Sequence, residues 1–514
     1  MRSIRFMTAC VAGLLLASGA LASPVSRNGA SAQPEIKQPE ETGLARAERL
    51  IAQGQMAEAE AELRALLADS LAPMDEVRAR LTLVNLLVSL DRPAEAEPHV
   101  RQVLAATGPD HPLRGWAVGS GVDVFNALDR PSEALPLMEE DIVLATGADA
   151  RARALSRFGA TLVLAGRYRD ATERLGEALR IMDGLPADPP LRLATLSQLA
   201  RVLDLQGRHA EAEPHLGEAL ALATATYGER SLQVAGALVD LGTHASDIGQ
   251  YAEADATLRR SLHLYEQLSG PDTVQTAAAL TNLGNVHMNA GRWSAAEPYY
   301  RRAAAINVGR DSQVDLAIDL TNLGWVVHKQ GREAEAEEIL SRSLGLFEAT
   351  LGTEHPYTAT ARTNLAGALR VQGRCGEATP MFREVARVYS ATIEDDNPVW
   401  PFTLNGLAAC LAETGGDAAE IEGLFTRALA VSWSVLSPGH PYGLEPANDY
   451  AAWLISQGRA DEARDLLDRA GGALLDRTVA RAGAERTAQG ELAQFRTLFQ
   501  LRVDAAWALA QTAP

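Results

Sequence analysis

Five asparagines recur on a long period in this chain: Asn282, Asn322, Asn364, Asn405 and Asn448, separated by 40, 42, 41 and 43 residues. A primary amide both donates and accepts hydrogen bonds. A column of amides therefore suits the backbone of an extended peptide, whatever side chains that peptide carries. Asn is roughly 0.6 kcal/mol worse than Ala inside a helix, so five of them cost on the order of 3 kcal/mol that some interaction should offset. Asn285 and Asn289 follow Asn282 three and seven residues on, and Trp325 and Lys329 follow Asn322 in the same way. Helical spacing places each trio on one stripe, where Trp325 would offer an aromatic anchor and Lys329 a cation. Two uses stay open at this point. The amides either grip a peptide or bond to a neighbouring helix or water, and Trp325 either anchors a ligand or packs against the next helix.

Other chemistry is poorly represented. The ten histidines show no His-Glu-x-x-His, and the three cysteines no Cys-x-x-Cys, so a zinc site would need distant loops; no metal and no cofactor are expected. Only two lysines occur, Lys37 and Lys329, and neither follows a Gly-rich turn, which excludes a P-loop. There is no Gly-x-Ser-x-Gly elbow and no strand pattern to carry one. His111, His355 and His440 recur because their loop recurs, and a capping role fits them. The Glu-Ala-Glu runs read as solvated helix faces. The sequence therefore predicts a protein with no catalytic residues.

The elements that position the asparagines come from a repeat. A Gly or Asp before a polar residue punctuates the chain eleven times, from Gly54-Gln55 through Gly166-Arg167, Gly291-Arg292, Gly331-Arg332 and Gly373-Arg374 to Gly458-Arg459. Amphipathic stretches lie on both sides, such as Leu280–Asn289 before Gly291 and Ser294–Ala304 after it. The unit is a first helix, a turn whose Gly adopts the left-handed conformation, and a second helix, with Gly284, Ala296 and Ala303 letting the two approach. Pro98, Pro136, Pro214, Pro298 and Pro380 fall about seven residues past the turn, in or near the first turn of the second helix, where they should cost little.

Leu-x-x-Leu-Gly before the turn, Gly-Arg-x-x-Glu-Ala-Glu after it, and Gly-x-x-His-Pro between units resemble tetratricopeptide repeats of the kinesin light chain type. Gly331–Glu338, Ala349–Pro356 and Thr363–Ala366 carry the match best; it is clear over 166–467 and looser over 44–165. The resemblance implies an all-α, right-handed α-solenoid of about eleven antiparallel helix pairs, closed by a C-terminal capping helix. It also implies a concave groove of first helices that binds peptides, with the five asparagines in contact with them.

Arg2, Arg5, the apolar run Val11–Ala17 and Ala20-Leu21-Ala22 read as a cleaved secretory signal over 1–22, followed by a flexible leader over 23–43, a solenoid over 44–474 and a capping segment over 475–514. The expected location is the periplasm or beyond the cell. Cleavage removes two positive charges and takes the net charge from −19 to −21, a poor balance for nucleic acid. No later run is long enough to span a membrane. Cys375 and Cys410 remain; they either pair, in an oxidising compartment, or sit as two isolated core thiols. Leu492, Phe495, Leu498, Phe499, Val503 and Trp507 form an apolar stripe that either caps the array or docks another protein. The function expected is a non-enzymatic interaction scaffold for a protein or peptide partner. The alternatives are a regulatory or substrate-recruiting arm of a separate enzyme, such as a caspase-like peptidase of CHAT type, and an enzyme in its own right.

Overall fold

The computed structural model describes residues 42–90, 92–128, 130–310, 313–392, 400–435, 441–481 and 496–512. The expected signal and nearly all of the expected leader, together with His440, Leu492 and Phe495, lie outside the described residues. Every regular element among the described residues is a helix. They belong to two compact units that divide between Thr226 and Tyr227, so the last residue of the tenth helix counts with the second unit.

The N-terminal unit holds α1 (Gly43–Ala52), α2 (Met56–Ala68), α3 (Pro73–Ser89), α4 (Pro93–Ala106), α5 (Arg114–Ala127), α6 (Pro131–Leu144), α7 (Ala148–Leu164), α8 (Tyr168–Met182), α9 (Pro189–Leu205) and α10 (His209–Tyr227). The C-terminal unit holds α11 (Leu232–Asp247), α12 (Tyr251–Leu268), α13 (Val274–Asn289), α14 (Trp293–Gly309), α15 (Gln313–Lys329), α16 (Glu333–Thr350) and α17 (Pro356–Val371). It continues with α18 (Cys375–Thr392), α19 (Trp400–Thr414), α20 (Ala418–Val435), α21 (Pro441–Ser456), α22 (Ala460–Arg481) and α23 (Arg496–Thr512). Within each unit, hairpins stack in chain order, and the first helices of successive hairpins touch one another. The chain is an all-α solenoid.

The turn after α15 shows how each hairpin closes. Gly331 has φ +74°, its N–H donates to the His328 carbonyl at 2.8 Å, and the Arg332 N–H donates to the Val327 carbonyl at 3.3 Å. This 5→2 and 6→1 pair satisfies carbonyls the helix end would otherwise strand, and the left-handed φ favours Gly. The two helices then press together at a second glycine: a Cβ on Gly324 would meet Leu340 Cγ at 2.5 Å, and one on Gly284 would meet Tyr300 at 2.7 Å. Between hairpins, His355 caps α17 by accepting from the Tyr357 N–H at 3.1 Å, and His111 accepts from the Leu113 N–H at the same distance.

Two expectations need correction. Pro98, Pro136, Pro214, Pro298 and Pro380 each occupy the sixth residue of their helix. That is the second turn, where the missing N–H leaves the carbonyl four residues earlier without its helical donor. The Glu-Ala-Glu faces are also more than solvated: Arg374 NH1 bonds Glu337 of the preceding second helix at 2.8 Å and its Nε bonds Glu377 of its own at 2.7 Å. Arg92, Arg130, Arg332 and Arg459 repeat that bridge.

At the C-terminal end α23 packs on α22 and α21 through Leu498 and Ala505, both fully buried. Of the expected stripe Leu498 is buried, whereas Phe499, Val503 and Trp507 are exposed to solvent. Residues 498 and 505 are seven apart and share a face, whereas 499, 503 and 507 form the adjacent row.

Candidate functional site

The amide column lies where first helices of the C-terminal unit face one another, and most of it is covered. Asn322, Asn364 and Asn405 are 1%, 3% and 4% exposed, and Trp325 is 0% exposed. Asn282, Asn289 and Asn448 are half-buried. Three of the predicted residues bond to neighbouring helices. Asn285 accepts from the Tyr300 hydroxyl at 2.6 Å, Asn289 Nδ2 donates to Ser246 Oγ at 3.3 Å, and Asn405 Nδ2 donates to Asp449 Oδ2 at 2.7 Å. Other polar atoms there are buried with no protein partner: Asn322 Nδ2, Trp325 Nε1, Asn405 Oδ1 and Asn448 Oδ1. A buried polar atom without a hydrogen bond costs on the order of 1–3 kcal/mol, and this face concentrates two donors and two acceptors of that kind.

Of the two uses left open for Trp325, it takes the packing one. Its ring meets Phe402 of α19 edge-on, with centroids 5.0 Å apart, and Lys329 Nζ sits 4.2 Å over its centroid. Gly367 of α17 occupies the stripe position that Trp325 holds in α15, and nothing lies within 4 Å of where its Cβ would stand.

Beside Gly367 lies a small cleft, with room for little more than a water molecule, lined among others by His328, Arg370, Phe402, Asn405 and Glu445. Its charges come from three helices. Lys329 Nζ lies 3.8 Å from Glu445, and Arg370 lies 3.6 Å from Glu445 and 3.5 Å from Asp449. Burial alone would raise the Glu445 carboxyl, but Lys329, Arg370 and His328 outweigh it and hold it below the usual carboxylate range. For Asp449 burial wins: it stands above its ordinary value despite Arg370, with Glu445 adding to the rise. Burial and Lys329 push the His328 imidazole down, against the pull of Glu333, whose Oε2 is 2.7 Å from its Nδ1.

Arg370, Phe402, Glu445 and Asp449 were missed from the sequence, and part of the signal was there. Three residues before the asparagine column stand Asp319, Phe402 and Glu445, so extending the stripe one turn upstream finds them. Asp319, 2% exposed, has Thr281 Oγ1 at 2.7 Å and accepts from Asn307 Nδ2 at 2.8 Å; burial pushes its carboxyl up to about 7 against those two bonds. Cys375 and Cys410, left open above, are joined in a disulfide that ties α18 to α19, with Cα atoms 4.9 Å apart.

Stacked helical hairpins with a polar inner face define a helical repeat protein. Residues 191–267, 233–307, 275–349 and 315–391 each match the tetratricopeptide repeat family, so the chain carries tetratricopeptide repeats. No curated protein matches the chain. Among solved structures it is similar to BtubC (BKLC) from P. vanneervenii, at 24% identity and TM-score 0.35, over 46% of this chain and 93% of that one. It is also similar to a putative kinesin light chain from Podosopora anserina with nearly identical TPR-like repeats, at 21% identity and TM-score 0.36, over 40% and 99%. A Rap protein complexed with competence and sporulation factor is similar at 15% identity and TM-score 0.44, over 70% and 98%.

Proposed function

We propose that this protein is an exported, non-enzymatic interaction scaffold that binds an extended segment of a partner along the inner face of α15, α17, α19 and α21. The observation that carries this reading is the set of buried, unpartnered donors and acceptors on that face: Asn322 Nδ2, Trp325 Nε1, Asn405 Oδ1 and Asn448 Oδ1. Donors and acceptors together match a peptide backbone, whose N–H and C=O groups alternate. Export is supported by the signal-like first 22 residues and by the Cys375–Cys410 disulfide, a bond that persists in oxidising compartments. Crosslinking with mass spectrometry in periplasmic extract tests the reading. Recovery of partners should fall at least about tenfold for Asn322→Ala with Asn364→Ala, a loss of roughly 1.4 kcal/mol or more, while the melting curve stays native. Unchanged recovery overturns it.

A second reading, a recruiting arm for a separate enzyme such as a caspase-like peptidase, is favoured by the exposed Phe499, Val503 and Trp507 row on α23. Co-purification of such an enzyme that is lost in Val503→Ser with Trp507→Ser would support it.

A further inference from the structure

We propose that Asp319 is a proton-held fastener between α13 and α15: as the neutral acid it closes the joint between these two first helices, and on losing its proton it lets them part. The device goes beyond the peptide-binding reading and holds whether or not a segment occupies the inner face. Asp319 stands three residues before Asn322, and Thr281, its partner on α13, directly precedes Asn282. The joint therefore sets the spacing of two members of the asparagine column.

Within each unit, successive first helices touch through a polar pair, and most of those pairs are neutral. Asn126 bonds Thr161 at 2.9 Å and Ser156 bonds Thr195 at 2.8 Å in the N-terminal unit, and Thr363 bonds Thr403 at 3.2 Å in the C-terminal one. Two such joints among the described residues use a carboxyl group instead. Asp449 accepts from Asn405 and has Arg370 at 3.5 Å to balance its charge. Asp319 meets Thr281 at 2.7 Å, is 2% exposed, and has no cation within ion-pair distance among the described residues. A carboxylate buried without a counter-ion costs so much that the group takes up a proton instead.

The hydrogen bonds fit that neutral acid. A threonine hydroxyl has one proton to give, and Thr281 Oγ1 lies 2.7 Å from Asp319 Oδ1 and 3.1 Å from the Ala277 carbonyl. With a proton on Oδ1, Asp319 donates to Thr281, Thr281 donates to Ala277, and Asp319 Oδ2 accepts from Asn307 Nδ2 at 2.8 Å. Each group is used once. Ionised, Asp319 competes with Ala277 for one hydroxyl proton and leaves its charge uncompensated. The charged groups of the helices around it bring no relief. Asp315, a turn earlier on α15, pushes its carboxyl further up. On α14 Arg301 and Arg302 are paired with Glu297 and Glu266, and on α17 Arg362 with Glu348 of α16, each at 2.7 Å. On α13 the titrating group is His287, 3.0 Å from Asp255; burial holds its imidazole below the usual range, so acid loosens that contact, in the opposite sense to Asp319.

Hydrogen exchange of the full chain, read by mass spectrometry at pH 5 and pH 7 and corrected for the intrinsic change in rate, tests the joint. Amides around Thr281 on α13 and Asp319 on α15 should lose protection by at least about tenfold between the two pH values, because opening releases a carboxyl that ionises far more readily in water than in the closed joint. Amides around Thr195 on α9 and Thr363 on α17, which belong to neutral joints, should keep theirs. In Asp319→Asn, whose amide donates to Thr281 and accepts from Asn307 as the neutral acid does, the loss should vanish. Protection in native α13 and α15 that ignores pH, an equal loss around Thr195 and Thr363, or the same loss in Asp319→Asn overturns the inference. None of those results bears on the peptide reading, which stands or falls on partner recovery.

Discussion

Single residues on the inner face serve opposite ends. Asn285 spends its oxygen on Tyr300 and stiffens one hairpin, while Asn322, on the equivalent stripe a repeat later, keeps a buried N–H unmatched. Spacing assigned both to the same face; only their neighbours separate a packing amide from one available to a ligand. Asp319 makes the sharpest prediction at this scale. A carboxyl pushed up to about 7 keeps its proton in the folded protein over a range where the unfolded chain, near 3.8, has lost it. Its stabilisation is therefore complete below about pH 4 and disappears as pH rises through about 7. Asp319→Asn keeps the shape without titrating, so it should gain on the native protein by about 2–3 kcal/mol between pH 5 and pH 8 in paired denaturation curves. A difference that stays flat across that range would mean the carboxylate is ionised throughout.

Hairpins are held by close approach, and the stacks between them by bridges. In α15 the fully buried Leu340 of α16 fills the place of a side chain on Gly324. Gly324→Ala should overpack this contact at a cost of about 1–3 kcal/mol, only partly offset by roughly 1 kcal/mol of better helix propensity, and thermal melting should show a net loss. A melting point at or above native would show that the helices separate without penalty. Between hairpins, the turn arginines join consecutive second helices, yet their ion pairs are solvent-screened and add little stability; they set register more than stability. The covalent tie is stronger. The Cys375–Cys410 bond closes a loop of 35 residues between α18 and α19, so Cys375→Ala with Cys410→Ala should cost about 3–4 kcal/mol, read as a fall in denaturation midpoint that reducing agent reproduces in the native protein.

At the scale of the molecule, a stacked array needs its last face covered. Leu467, Ala470 and Leu474 of α22 share one core with Leu498 and Ala505 of α23. A chain ending after Arg481 exposes that row and should melt lower and associate on gel filtration; an unchanged, monodisperse product would show that α22 suffices as an end. The net charge of −19 bears on partners too. A protein this acidic repels acidic surfaces at long range, so its association with an acidic partner should quicken as salt screens the repulsion.

Period and punctuation were enough to give the helical hairpins, their turns and the face on which the asparagines lie, because those follow from local backbone preferences and from apolar spacing within a few turns. The sequence also gave Cys375 and Cys410 as a possible pair without deciding it. What only the folded chain decided is how far the first helices curl: far enough for Phe402 to cover Trp325 and for Glu445 to meet Lys329 across three hairpins. That curl is the sum of small rotations at every helix contact, and no local pattern encodes the sum.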